Sequence, residues 1–263
     1  MREALASTER RLADAGVDTP RVDAEWLVAH VLGVPRSRIL EREELDDSAL
    51  EPLVARRERR EPLAYVLGEW GFRRLTLKTD SRALVPRPET ETVVERALAL
   101  IEHQDVPRVL DIGVGSGAIA LAIADEHPSA RVTGVDTSAD ALELARENAE
   151  RLGLDVELRH GDAAAAADGW NLVVANPPYV EQHALASVQA EVKWEPRTAL
   201  LDTGLHEEIT RIAETTWLVL EVGDGQARAV EEVLVANGYR DTKITRDLGG
   251  IERVVEGRRA DTR

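Results

Sequence analysis

The sequence predicts an α/β protein, a doubly wound mixed sheet preceded by a small all-helical N-terminal domain. Three observations predict it. Up to Arg60 the apolar residues recur at helical spacing. From Arg108 onward, short apolar strands alternate with helical stretches, the pattern of a mostly parallel sheet covered by helices. A glycine-rich turn, Asp111-Ile112-Gly113-Val114-Gly115-Ser116-Gly117, joins the first of those strands to the first of those helices. At 263 residues, 43% hydrophobic and 31% charged, the chain is long enough for two domains with their own cores.

In the N-terminal part, Leu5, Leu12, Val22, Trp26, Leu27 and Val31 fall at helical spacing, broken by Gly16, Pro20 and a Gly33-Val34-Pro35 turn. A third helical stretch covers 50–60, and its Arg56, Arg57, Arg59 and Arg60 read as a solvated face. Between Pro62 and Leu84 the glycines and the alternating Leu75-Thr76-Leu77-Lys78 suggest a short hairpin linker. Pro86 and Pro88 end it, and a helix runs from Glu89 to about His103. The boundary falls near 80–88, giving a helical domain over 1–80 and a second domain over 81–263. In the second domain, strands are expected at 109–110, 132–135, 156–158, 172–175 and 218–222, and helices at 118–125, 139–152, 207–215 and 227–236. The tail, Ile244-Thr245-Arg246 and Arg253-Val254-Val255, reads as a terminal hairpin that makes the sheet mixed. The alanines at 163–167 read as a loop or helical turn.

Charge and composition exclude several functions. Lys plus Arg is 33 against 49 Asp plus Glu, a net charge of -16, and the only lysines are Lys78, Lys193 and Lys243. Such a surface gives no general attraction for a phosphate backbone, so no stable nucleic-acid binding is expected. There is no cysteine, and the six histidines show no i, i+4 pair, so no metal site is expected. The N-terminus is charged and amphipathic, unlike a signal peptide, and no run of about 18 apolar residues spans a bilayer. A cytoplasmic monomer without membrane contact is expected.

The turn Gly113, Val114, Gly115, Ser116, Gly117 lets the backbone bend sharply and lets a ligand lie against it without a Cβ in the way. The helix that follows aims free N–H groups at that ligand. A single glycine turn is weak evidence, but Asp136 ends the next strand, where a carboxylate can bind both ribose hydroxyls. Asp111 would repel a diphosphate and attract an ammonium or sulfonium. The spacing D-x-G-x-G-x-G also departs from the dinucleotide pattern. It resembles the first motif of class I methyltransferases, a resemblance that implies S-adenosylmethionine as cofactor. Asp162, with Ala163 beside it, matches the family's adenine position, and reads equally well as a helix N-cap.

Asn176-Pro177-Pro178-Tyr179 stands at the C-terminal end of an apolar strand, the edge where open α/β sheets bind ligands. A bland reading is a proline turn. Against it, Pro177 and Pro178 have no N–H and present carbonyls as pure acceptors, Asn176 adds an oxygen, and Tyr179 offers a flat face. Such groups suit an NH2 on a planar conjugated group. The Asn176 oxygen and the Pro177 carbonyl would hold both hydrogens, so Asn176, Pro177, Pro178 and Tyr179 are the candidate catalytic and substrate-binding residues, and Asn176 is also a candidate cofactor-binding residue. The motif alone leaves amide and adenine tied, and the negative charge loosens that tie.

The chain as a whole resembles the bacterial HemK-type protein-(glutamine-N5) methyltransferases. The resemblance rests on Glu61-Pro62-Leu63-Ala64-Tyr65-Val66-Leu67-Gly68, on Leu84-Val85-Pro86-Arg87-Pro88-Glu89-Thr90-Glu91, and on the glycine turn with Asp136. It continues through Asn176 to Tyr179, Val192-Lys193-Trp194-Glu195-Pro196-Arg197-Thr198-Ala199-Leu200, and Arg246-Asp247-Leu248-Gly249-Gly250-Ile251-Glu252-Arg253. It implies a helical domain that docks a peptide chain release factor, and methylation of the glutamine in that factor's Gly-Gly-Gln motif. A related class acts on a ribosomal-protein glutamine, and adenine-N6 methyltransferases of nucleic acid share the Asn-Pro-Pro-Tyr motif. Two departures stand out: Ala163 replaces a common aromatic, and the stretch 203–217 is short and lacks a Gly-Gly turn.

Overall fold

The computed structural model describes residues 1–42 and 44–259. The chain forms two compact units, Met1–Glu69 joined by Val188–Trp194, and Trp70–Ser187 joined by the chain from Glu195 onward. The sequence placed the division at 80–88. It comes earlier because Phe72, Leu75 and Leu77 of the hairpin enter the core of the second unit.

In the first unit, α1 (Arg2–Asp14) buries Leu5, Thr8 and Leu12, one stripe of its surface. Pro20 opens α2 (Pro20–Leu32), since a first-turn N–H has no helical partner to lose, and Gly33 ends it in the left-handed conformation. Asp46 caps α3 (Asp47–Glu58), accepting from the N–H groups of Ser48 and Ala49. A fourth helix, α4 (Leu63–Leu67), lies in the stretch whose sequence suggests a hairpin linker.

The arginines after Val54 correct the expectation of a solvated face, because only Arg59 is exposed. Arg57 is buried, donating to Asp23 Oδ2 and Glu191 Oε1 at 2.7 Å each. Arg60 donates to both Glu191 oxygens, and Arg56 to the carbonyls of Tyr65 and Val66. Removing the buried cation would leave the buried Asp23 carboxylate without its cationic partner, while Glu191 keeps Arg60. Arg57→Ala is therefore expected to cost about 3–5 kcal/mol, read as a lower urea midpoint. An unchanged midpoint would show that the network contributes nothing.

In the second unit, β1 (Glu69–Phe72) and β2 (Leu75–Lys78) form a separate two-stranded sheet. The main sheet has seven strands: β3 (Arg108–Ile112), β4 (Arg131–Asp136), β5 (Glu157–His160), β6 (Trp170–Ala175), β7 (Thr215–Glu221), β8 (Tyr239–Arg246) and β9 (Glu252–Arg259). Their order is β5-β4-β3-β6-β7-β9-β8, and β9 alone runs antiparallel to its neighbours. The mixed, doubly wound sheet is thus as expected. Successive residues of each central strand point to opposite faces, and both faces are apolar. Val109, Val132, Leu172, Val174 and Val219 meet α5 (Glu91–Ile101), α6 (Ala118–Glu126) and α7 (Ala139–Leu152). On the other face Leu110, Val173, Leu218 and Leu220 meet α8 (Leu205–Ile212) and α9 (Ala227–Ala236).

Two expectations change here. The helix read over 207–215 ends at Ile212, and Thr215 already pairs with Trp170 in the sheet. The short 203–217 stretch still forms a helix, opened by Gly204 at φ 77°. Among the described residues, no helix is long and apolar enough to cross a membrane.

Candidate active site

The C-terminal ends of β3, β4 and β6 are adjacent in the sheet, and the segments leaving them surround a cavity of ≈ 540 Å³. Its wall includes Gly113, Val114, Gly115, Ser116, Asp136, Asp162, Ala163, Asn176 and Pro178. Residues far apart in sequence therefore meet at one edge of the sheet, as the strand order requires. Asp111, Gly117, Pro177 and Tyr179 are not part of that wall.

The glycine loop is held from below. Gly113 and Val114 both donate to the Val135 carbonyl, and Gly115 N–H donates to Asp136 Oδ2 at 2.9 Å. Gly134 lets the loop come this close, because a Cβ there would lie 2.6 Å from Val114 Cγ2. Asn148, fully buried on α7, accepts from Lys78 N–H and donates to the carbonyls of Lys78 and Ser116. Nothing in its local sequence marks it as a site residue except its place, an amide in the apolar stripe of α7, beside Ala141 and Ala145 at helical spacing.

Asp111 was expected beside the charged half of a ligand, and the structure corrects this. Its side chain is wholly buried beneath the loop, where Oδ2 accepts from Ala120 N–H at 3.1 Å and Oδ1 has no partner. Burial pushes its pKa up to about 7, opposed by the Ala120 bond and reinforced by Asp136. It anchors the first turn of α6. Asp162 is a cap, since Oδ1 accepts from Ala164 N–H at 2.9 Å at the start of the 3-10 turn Ala163–Asp168, and the residue also lines the cavity. Ala163 is buried in the same wall.

Asp136 has two duties. Oδ2 receives Gly115 N–H, and Oδ1 receives Ser138 N–H at 2.9 Å. Bonds to a charged acceptor contribute about 1.5–3 kcal/mol each. Asp136→Ala is expected to weaken S-adenosylhomocysteine binding about 10- to 100-fold by titration calorimetry. Asp136→Asn should fall between. Unaltered affinity in Asp136→Ala would show that the loop does not depend on this carboxylate.

The Asn-Pro-Pro-Tyr segment is braced by a buried polar cluster that the sequence did not reveal. Asn176 Nδ2 donates to Thr90 Oγ1 at 3.2 Å, and Thr90 donates to Glu221 Oε2 at 2.6 Å. The Tyr179 hydroxyl donates to Glu221 Oε1 at 3.4 Å. Gln226 donates to the Tyr179 carbonyl and accepts from Gly223 N–H. A Cβ on Gly223 would lie 3.0 Å from Tyr179 Cδ2, so the ring rests close on that backbone. Burial pushes the Tyr179 hydroxyl up to about 12, with the Glu221 charge adding to it. Nearby, buried Glu195 accepts from Val85 N–H and pairs with Arg87, tying down the 84–88 segment.

The wall suits a hydroxyl-rich cation. It combines open glycine backbone with the carboxylates of Asp136 and Asp162, which disfavour a diphosphate. A seven-stranded sheet with one antiparallel strand, a glycine loop after β3, an acid ending β4 and Asn-Pro-Pro-Tyr ending β6 together define a class I methyltransferase.

Comparison with known proteins agrees. Residues 95–204 match the methyltransferase small domain and residues 3–68 the PrmC N-terminal domain. The fold resembles the catalytic domain of hMettl16 solved in complex with MAT2A 3'UTR hairpin 1. The TM-score is 0.60 at 16% identity, covering 80% of this chain and 82% of that one. Release factor glutamine methyltransferase of Vibrio cholerae is 40% identical, over 97% of this chain and 95% of its own length. That of Deinococcus radiodurans is 40% identical over 99% of each, and that of Escherichia coli 37% identical over 92% and 93%. The chain belongs to the release factor glutamine methyltransferase family.

Proposed function

We propose that this enzyme methylates the side-chain amide nitrogen of the glutamine in the Gly-Gly-Gln motif of peptide chain release factors, with S-adenosylmethionine as donor. The observation that carries this reading is Asn176, in the cavity wall with its Nδ2 committed to Thr90. That commitment leaves the carboxamide oxygen as an acceptor for a substrate NH2. The relatives' names supply the class of protein substrate.

S-adenosylmethionine supplies an electrophilic methyl on a sulfonium; transfer forms the N–C bond, leaves the electron pair on a neutral thioether and releases one proton from nitrogen. The chain's own part is positioning and electrostatics. The loop 113–117 with Asp136, Asp162 and Ala163 forms the cofactor pocket. An amide nitrogen is a weak nucleophile because its lone pair is delocalised. The Asn176 oxygen in the cavity wall and the carbonyl of Pro177, itself outside that wall, hold its two hydrogens on this reading, favour a pyramidal nitrogen, and stabilise the positive charge that develops there. Pro178 completes the wall beside Asn176, and Tyr179 fixes the segment from behind. No strong base is needed before transfer, since the proton can leave afterwards. The helical unit over 1–69 docks the release factor.

Incubation with methyl-labelled cofactor and either a release factor or nucleic acid tests the reading. Label is expected on the release factor and not on a version with the Gly-Gly-Gln glutamine replaced by alanine. Label only on nucleic acid would overturn it.

A further inference from the structure

We infer that Glu221 is a positioning residue: acting through Thr90, it fixes which end of the Asn176 carboxamide faces the cavity. The inference rests on the proposed role of the Asn176 oxygen as acceptor for the substrate amide. Its basis is the direction of a hydrogen-bond chain. Glu221, at the end of β7, is almost wholly buried, and its ionised carboxylate can only accept. Thr90 has one hydroxyl proton, and the 2.6 Å bond spends it on Glu221 Oε2. Thr90 Oγ1 can then only accept from Asn176, so the amide must turn its NH2 inward and its oxygen toward the cavity.

Protonation removes that constraint. A neutral carboxyl can donate to Thr90, Thr90 can donate to Asn176, and the carboxamide can then present NH2 to a substrate that needs an acceptor. The chain is therefore sensitive to the state of one buried acid. Burial pushes Glu221 up to about 7, against the opposing effects of the Thr90 bond and of Arg253.

The groups around it are few. Glu89, in the same 3-10 turn as Thr90, adds like charge, and its buried Oε2 has no partner. Arg253 on β9 supplies the opposing cation and donates to the Val222 carbonyl and Asp247. The Tyr179 hydroxyl donates to Oε1. From α8, His206 Nε2 bonds the Glu221 carbonyl, and burial lowers that imidazole's pKa, favouring its neutral form.

The sign follows directly. The ionised form holds Asn176 correctly, so kcat of the wild-type enzyme on a release factor should rise as pH increases through about 7. Glu221→Gln has no proton to lose. It should be slower than wild type at pH above that value by about 3- to 10-fold, the worth of one net hydrogen bond, and should lose the rise. Thr90→Val cuts the chain and should behave alike, whereas Thr90→Ser keeps the hydroxyl and should restore both rate and pH profile. Affinity for S-adenosylhomocysteine should stay near wild type in all three.

A Glu221→Gln profile that keeps the wild-type rise would overturn the inference and move the titration to another group, such as Asp111. So would Thr90→Val at wild-type kcat, and this pair decides the matter even should Glu221→Gln fail to fold. Asn176→Ala, assayed alongside, separates the two levels: full activity there would contradict the proposed acceptor role itself.

Discussion

Asn176→Ala is expected to lower kcat/KM for methylation of a release factor about 100- to 1,000-fold, the usual scale for deleting one preorganised polar group from a transition-state site. The residue sits where β6 ends, in the cavity wall, and its orientation is fixed by Thr90 behind it. The glutamine amide is barely nucleophilic at rest, so what Asn176 contributes grows as charge develops on nitrogen. That effect belongs in kcat, with substrate KM changing less. Affinity for S-adenosylhomocysteine is expected to remain near wild type, because the glycine loop and Asp136 are held independently by Val135, Ser138 and Asn148. Steady-state kinetics with titration calorimetry on the same preparation checks both halves. A variant that keeps kcat but loses cofactor affinity would place Asn176 in the cofactor pocket alone.

Gly117→Ala is expected to damage the pocket as a whole. Gly117 caps α6 at φ 88°, where a side chain is strained, and an added Cβ would lie 2.7 Å from Leu121 Cδ1. Leu121 is core, packed against the sheet, and cannot swing aside without opening a void. The strained backbone and the overpacking together should cost about 2–4 kcal/mol, lowering the urea midpoint. The loop would shift to relieve the contact, so cofactor binding should fall by more than an order of magnitude. Gly113→Ala makes a useful control. Its φ is also positive, at 75°, but a Cβ there meets nothing within 4 Å. It should lose less stability than Gly117→Ala, and equal losses would show that packing on Leu121 is not the cause.

The doubly wound sheet was legible because its strands are short apolar runs separated by helices. Every cavity residue that belongs to a local motif, from Gly113 to Ser116 and at Asp136 and Asn176, was legible for a similar reason. What stayed hidden depends on distance along the chain. Thr90 and Glu221 lie 131 positions apart; Glu221 ends β7 beside β6, and the 3-10 turn before α5 carries Thr90 to both Glu221 and Asn176. Arg57 looked like one of several surface arginines until Asp23 and Glu191 surrounded it. The end of α8 is not legible in the sequence because Ile209, Ile212 and Ala213 continue a helical spacing. Backbone pairing overrides that spacing, as Ala213 turns extended and Thr215 joins Trp170. Asp111 was given a ligand-facing role from its place in the motif, but only the structure shows the carboxylate sealed beneath the loop. α4 escaped notice because five apolar residues between Pro62 and Gly68 are too few to show a period.

This fold delivers a methyl group to one amide nitrogen held by Asn176. Mapping the methyl group on a release factor after reaction, by tandem mass spectrometry of its peptides, checks this. A single added methyl on the side-chain nitrogen of the Gly-Gly-Gln glutamine, absent with Asn176→Ala, is the predicted result. Methylation at another residue of the factor, or an unmodified glutamine when the enzyme is active on a different acceptor, would contradict it.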